Sequence, residues 1–148
     1  MATKIVYTGG TFDLLHPGHM NFLKKARELG DFLVVSLNTD EFCAQYKRKP
    51  IMTYKERKEA LKACRYVDAV VENSGGFDSK PAIDAVRPQI IVHGDDWTGP
   101  KYLKQLGITS GYLKKRGIKL VYVPYTKGIS TTNLIKRIYE NQRTHTNN

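Results

Sequence analysis

The sequence predicts a three-layer, Rossmann-like α/β domain on a five-stranded parallel sheet. Three observations carry that expectation. Short β-branched apolar runs recur at 4–8, 32–37, 69–72, 89–92 and 119–123, with helical periodicity between them. Each run is nearly continuous in apolar character, as a strand covered on both faces must be. Regular alternation of such runs with helical segments is the pattern of parallel βαβ winding.

The helical segments carry their own punctuation. Residues 19–29 place Phe22, Ala26 and Leu29 on one face and are expected to stop at Gly30, a C′ glycine. Thr53-Tyr54-Lys55-Glu56 reads as a capping box that opens a helix to about Arg65. Ser130 or Thr131 can cap a last helix in which Leu134, Ile135 and Ile138 face inward. Residues 141–148 are polar enough to be a flexible tail, which leaves 1–140 as one domain. A chain of 148 residues, 41% hydrophobic, encloses one core and is too short for two ordinary domains.

Composition narrows the function classes. The apolar stretch Phe32-Leu33-Val34-Val35-Ser36-Leu37 falls far short of the roughly 20 residues that span a bilayer, so no membrane insertion is expected. Met1-Ala2-Thr3-Lys4-Ile5 enters a strand pattern at once, without a signal-peptide core. Cys43 and Cys64 stand in no CxxC or zinc-like spacing, which suits a reduced cytoplasmic setting and two buried thiols. A net charge of +10 implies an anionic partner: nucleic acid, an acidic membrane or phosphorylated small molecules. A nucleic-acid binding module would need stacking aromatics or a groove-reading helix joined to the basic stretches, and neither pattern is present.

In an open parallel sheet, ligands bind beyond the carboxyl ends of the strands. Three post-strand segments are rich there: Gly9-Gly10-Thr11-Phe12-Asp13-Leu14-Leu15-His16-Pro17-Gly18-His19, His93-Gly94-Asp95-Asp96-Trp97, and Tyr125-Thr126-Lys127-Gly128-Ile129-Ser130-Thr131-Thr132. The first sets two histidines three apart at a helix start, where free N–H groups and the helix dipole favour an anion. The same histidines could be surface residues or half of a zinc site, but no further ligands follow at zinc spacing, so no resident metal is assigned. Neither GxxxxGK[ST] nor GxGxxG occurs, which disfavours a P-loop enzyme and the usual dinucleotide fingerprint.

His16-Pro17-Gly18-His19, preceded by Thr11-Phe12-Asp13, resembles the HxGH signature of the cytidylyltransferase branch of the HxGH nucleotidyltransferases. Thr39-Asp40-Glu41-Phe42, Tyr54-Lys55-Glu56-Arg57, Arg65-Tyr66-Val67-Asp68, Gly94-Asp95-Asp96-Trp97 and Gly128-Ile129-Ser130-Thr131-Thr132 follow in order and resemble the glycerol-3-phosphate cytidylyltransferases. The resemblance spans nearly the whole chain. It implies transfer of CMP from CTP to a small phosphorylated alcohol, glycerol 3-phosphate first, with release of pyrophosphate. Mg²⁺ would accompany CTP, and the enzyme would be a homodimer. Among the alternatives, the acceptor could be a sugar phosphate, phosphocholine or phosphoethanolamine, or the reaction could be adenylyl transfer from ATP to FMN.

The resemblance also distributes roles. His16 and His19 hold the triphosphate and the charge of the transition state, joined as catalytic groups by Lys47, Arg48 and Thr131. Gly9, Gly10, Thr11 and Phe12 bring backbone to the nucleotide, and Asp96 and Trp97 border it. Tyr125, Thr126, Gly128, Ile129, Ser130, Thr131 and Thr132 close over base and phosphates, while Arg57 and Arg65 pair with phosphate oxygens. Asp13, Lys47, Lys80 and Asp96 face the acceptor.

This chain departs from that pattern in places. The glycerol enzymes have arginine and glutamate where it has Tyr125 and Lys127, and a tyrosine supplies neither a cation nor a bidentate fork. Residues 98–117 form a longer stretch than in that family. Lys47-Arg48-Lys49-Pro50 resembles the matching stretch of archaeal-type FAD synthetases and sugar-phosphate nucleotidyltransferases equally well.

Overall fold

The computed structural model describes residues 2–96 and 98–146. Its elements alternate as expected: β1 (Ile5–Gly10), α1 (Pro17–Glu28), β2 (Phe32–Asn38), α2 (Asp40–Tyr46), α3 (Tyr54–Ala63), β3 (Ala69–Asn73), α4 (Lys80–Val86), β4 (Ile90–Gly94), α5 (Pro100–Leu106), α6 (Ser110–Arg116), β5 (Lys119–Val123) and α7 (Thr131–Thr146). The sheet order is β3-β2-β1-β4-β5, and every pair is parallel. The winding therefore reverses between β1 and β4, which opens a crevice at their carboxyl ends.

Two apolar layers flank the sheet. Val6, Leu33, Val35, Leu37 and Val92 meet Leu23 and Ala26 of α1 and Leu61 of α3 on one face. Tyr7 and Ile91 meet Ala82 and Ile83 of α4, Tyr102 and Leu106 of α5, and Leu113 of α6 on the other. Neighbouring strand residues thus enter opposite cores, which is why these strands read as continuous apolar runs. Cys43 and Cys64 are both buried, reduced thiols. The long stretch after residue 98 folds as α5 and α6, each closed by a left-handed glycine, Gly107 and Gly117.

Some details differ from the sequence reading. β1 runs through Gly9 and Gly10, which pair with Ser36 and Leu37, so the turn begins after them. α1 starts at Pro17, because the first histidine is itself the N-cap. Gly30 stands at C′ after the Leu29 cap, as expected, but not in a left-handed conformation, and its need for glycine is steric: a Cβ there would lie 2.7 Å from the Lys4 carbonyl and 2.8 Å from Val6 Cγ2. Glycine lets the α1–β2 turn rest directly on β1. Lastly, α7 continues through residues 141–146, where a flexible tail was expected. Leu134 and Ile135 are half-buried near its start, but Ile138 is 58% exposed instead of facing inward.

Gly30→Ala must displace backbone or Val6 to fit its methyl group. A loss of about 1–3 kcal/mol in urea unfolding is expected, as overpacked sites show.

Candidate active site

The turn from β1 into α1 holds its backbone against local preference. Phe12 and Leu14 both sit at φ 51°, a left-handed conformation that costs a non-glycine residue roughly 1–2 kcal/mol. Such strain persists only where surrounding contacts fix it. Asp13, between them and only 3% exposed, supplies those contacts. Its Oδ2 accepts from the Ile51 amide at 2.8 Å and from Arg48 Nη1 at 3.2 Å, and its Oδ1 from the Met52 amide at 2.9 Å. Burial pushes this carboxyl up, but the Met52 and Ile51 amides and Arg48 outweigh burial and hold it below the ordinary carboxylate range. The Asp13 carbonyl accepts from Thr131 Oγ1 at 2.9 Å, tying the turn to the start of α7.

The two histidines form a reciprocal cap. His16 is the N-cap of α1, and its Nδ1 accepts from the Gly18 amide at 3.1 Å. His19 Nδ1 accepts from the His16 amide at 3.3 Å. The rings stack with centroids 3.7 Å apart. A nitrogen that accepts cannot carry a proton, so both imidazoles place their single N–H on Nε2. Burial lowers the pKa of His16; burial, then the neighbouring His16, lowers that of His19 to about 4 against a weaker opposing pull from Asp13. The pair is therefore neutral at pH 7 and presents two Nε2–H donors.

This refines the anion site expected of bare helix amides. Pro17 has no N–H and the Gly18 amide is spent on His16, so the helix start acts through imidazole. A Cβ on Gly18 would lie 2.8 Å from His16 Cε1 and 3.4 Å from Ile129 Cγ2, so only glycine lets the ring and Ile129 close in. Gly10 has a similar reason: a Cβ would stand 2.9 Å from the Phe12 ring. The protein places no such demand on Gly9, where the nearest atom is at 3.7 Å.

The segment after β5 faces the same crevice. Thr126 Oγ1 accepts from Asn21 of α1 at 3.1 Å, Gly128 turns at φ 88°, and Ser130 Oγ caps α7 through the Asn133 amide at 3.0 Å. Thr132 is exposed beside Thr131. The Tyr125 ring lies over Gly94, where a Cβ would be 2.9 Å from it, and its amide donates to Asp95 Oδ1 at 3.2 Å. Burial, then the charge of Asp96 and a hydrogen bond to it, raises the pKa of the Tyr125 hydroxyl. Asp96 also stands 3.6 Å from His93 Nε2, and His93 stacks on Tyr102 at 4.1 Å. Trp97 lies outside the described residues.

Several cations are not where the sequence reading put them. Arg57 has no solvent exposure: it donates to Thr11 O at 2.8 Å, Met52 O at 3.1 Å and Asp40 Oδ1 at 2.7 Å. It braces the loops around the site and has no room for a phosphate. Arg65 precedes β3, at the amino-terminal edge of the sheet, and lies on Tyr66, so it is remote from the crevice. Asp13 spends both oxygens on the 48–52 loop and positions instead of meeting the acceptor. Lys80 is held by Asp78 and the Gly107 carbonyl, both at 2.8 Å. Lys47 is exposed at the end of α2, and Arg48 is half-buried against Asp13.

Sequence reasoning missed Asn38, Tyr46 and Asn73. Thr11 Oγ1 lies 3.0 Å from Tyr46 Oη, and Asn38 Nδ2 donates toward both hydroxyls at 3.5 and 3.3 Å. Asn73 then donates to Asn38 Oδ1 at 2.9 Å. The available signal was positional, since Asn38 and Asn73 end β2 and β3 at the carboxyl edge.

A parallel α/β sheet whose switch-point crevice presents paired imidazole donors at a helix start is a phosphate-handling site of the nucleotide-binding class. The cytidylyltransferase-like family model matches residues 7–137, and the chain belongs to that family of nucleotidyltransferases. It is 42% identical over 135 residues to the glycerol-3-phosphate cytidylyltransferase of Bacillus subtilis (strain 168), covering 91% of this chain and 97% of that one. The FAD synthase of Pyrococcus abyssi (strain GE5 / Orsay) is 40% identical over 141 residues, covering 91% and 92%. Among solved structures, a lipopolysaccharide core biosynthesis protein from Thermoplasma volcanium GSS1 superposes with a TM-score of 0.70 at 27% identity, covering 85% of this chain and all of that one.

The depressed pKa of His19 gives stability a pH dependence. Above pH 6.5 folded and unfolded chains are both neutral at this residue; between 6.5 and about 4 only the unfolded chain takes up the proton, so acid weakens the fold. From pH 7 to pH 5 His19 should contribute a loss of about 2 kcal/mol in urea unfolding, and His19→Asn should remove that part of the slope.

Proposed function

We propose that the protein transfers CMP from CTP to a small phosphorylated alcohol, with glycerol 3-phosphate as the reference acceptor, and releases pyrophosphate. The observation that carries this reading is the neutral histidine pair, fixed as Nε2–H donors at the switch point. The 42% identity to a protein named for this activity supports the choice of CTP and acceptor.

The chemistry suits what these residues can do. A phosphomonoester with a second pKa near 6 is largely dianionic at neutral pH and attacks without a general base. Its oxygen forms a new bond to the α-phosphorus, the bond to the bridging oxygen breaks, and pyrophosphate leaves with the electron pair. The protein must hold the groups in line and stabilise charge on the transferring phosphoryl. His16 and His19 would donate to those oxygens, Lys47 and Arg48 would carry positive charge to the phosphates, and Thr126 to Thr132 would border the nucleotide.

Mg²⁺ is best written as part of the substrate, MgCTP. Among the described residues no three His, Cys, Asp or Glu side chains converge on one point, and Asp13 is committed to amides and Arg48. A homodimer is part of the same proposal. Ile138 and Tyr139 of α7 are 58% and 60% exposed, apolar surface that a second copy would cover. Light scattering should then return twice 16.8 kDa.

Pyrophosphate release with Mg²⁺, crossing CTP, ATP, GTP and UTP against glycerol 3-phosphate, sugar phosphates, phosphocholine, phosphoethanolamine and FMN, tests the reading. Turnover is expected with CTP; ATP with FMN as the productive pair would move the protein to the FAD synthase reading that its 40% identity supports. His16→Asn keeps an N-cap acceptor but lacks Nε2–H, so kcat should fall on the order of a hundredfold with the fold intact. Near-native turnover would overturn the role given to His16.

A further inference from the structure

β4 ends at Gly94, and the next two residues, Asp95 and Asp96, put two exposed carboxylates at the lip of the crevice. A carboxylate repels a triphosphate, so an acid kept here serves the uncharged half of a nucleotide, whose N–H and O–H groups it can accept. Asp95 is occupied: its Oδ1 accepts from the Tyr125 amide at 3.2 Å. Asp96 remains 40% exposed and meets two side chains that the rest of the fold fixes in place.

Tyr125 is the first. Its ring lies on the backbone of Gly94, where a Cβ would stand 2.9 Å from the ring and 3.1 Å from the hydroxyl, so only glycine permits the approach. The hydroxyl reaches Asp96 and donates to it; burial, then the charge of that carboxylate and the bond itself, keeps the phenol protonated. His93 is the second. By strand alternation it follows Ile91 into the face packed by α4, α5 and α6, where an apolar side chain would be expected. Its ring stacks on the buried ring of Tyr102 at 4.1 Å, with Nε2 standing 3.6 Å from Asp96 Oδ1. That is an electrostatic contact slightly longer than a hydrogen bond. Further along, the Gly99 amide donates to Tyr122 Oη at 2.8 Å, so the loop that carries Asp96 is tied at both ends.

We propose that Tyr125 and His93 are positioning residues, which hold the Asp96 carboxylate as an acceptor for the nucleoside half of CTP. Tyr125 thus acts through Asp96 and not on the phosphates, since a neutral phenol already bonded to a carboxylate has no charge to offer them. The inference rests on the proposed transfer from CTP and assigns the residues that aim its nucleoside. Tyr125 has the larger effect, because it bonds the carboxylate directly while His93 contacts it at longer range.

Calorimetric titration of the full chain with MgCTP, and with magnesium tripolyphosphate, which offers phosphates without a nucleoside, tests the assignment. Tyr125→Phe should weaken CTP about tenfold and tripolyphosphate less than about twofold, as loss of one hydrogen bond aimed only at the nucleoside does. Asp96→Ala should weaken CTP and spare tripolyphosphate in the same way. The double variant should bind CTP within about twofold of Asp96→Ala, since the tyrosine then has nothing left to aim. In turnover, Tyr125→Phe should raise the KM for CTP about tenfold and change kcat less than about threefold, the signature of lost uniform binding. His93→Phe, which keeps the stack on Tyr102, should weaken CTP about threefold, and His93→Gln, which restores an N–H, should recover it. Matched thermal melts exclude unfolding as the cause. Equal loss of tripolyphosphate in Tyr125→Phe, additive losses in the double variant, or unchanged CTP binding would overturn the positioning role while leaving nucleotidyl transfer standing. Native protein that shows this coupling but releases no pyrophosphate with any acceptor would overturn the transfer reading alone. Folded native protein that binds no CTP would overturn both.

Discussion

Everything at the crevice depends on a short turn that its own residues disfavour. Phe12 and Leu14 are left-handed without being glycine, and the buried carboxylate between them is bonded to the amides of Ile51 and Met52. Arg57 adds a second brace, joining the Thr11 carbonyl to Met52 and Asp40 from a position with no solvent exposure. Breaking either brace would leave a buried charge or acceptor unpaired, which costs far more than the bond itself gains. The strain is thus held by contacts that the rest of the fold keeps in place.

From that turn the chemistry follows in sequence. It delivers His16 to the N-cap of α1, the cap fixes the His16 ring on the Gly18 amide, and the second histidine closes the box from one turn on. Hydrogen bonding, not ionisation, then decides what the imidazoles offer, because each accepts on Nδ1 and must donate from Nε2. Desolvation keeps them neutral, so what they offer an anion is a hydrogen-bond donor and not a full positive charge.

The layers of the fold were legible because strand runs and caps are local: all five strands and the Thr53–Glu56 capping box lie where the sequence places them to within two residues. The histidine motif was legible for the same reason. What the sequence could not convey was where long side chains spend themselves. Arg57 and Arg65 look alike as phosphate ligands, yet one is buried against three carbonyl or carboxylate oxygens and the other sits at the far edge of the sheet. Asp13 serves main-chain amides some forty residues away, partners that carry no side-chain signature. Ile138 follows the helical period correctly, but α7 outruns the domain that would bury it.

The histidine tautomers are the most direct point of test. Long-range proton–nitrogen correlation spectra of ¹⁵N-histidine protein at pH 7 report which ring nitrogen of His16 and His19 bears the proton. The structure requires Nε2–H with unprotonated Nδ1 at both, and a perturbed Nε2–H when CTP is added. An Nδ1–H tautomer or an imidazolium at either residue in the free protein would contradict the capping box and the donor role built on it.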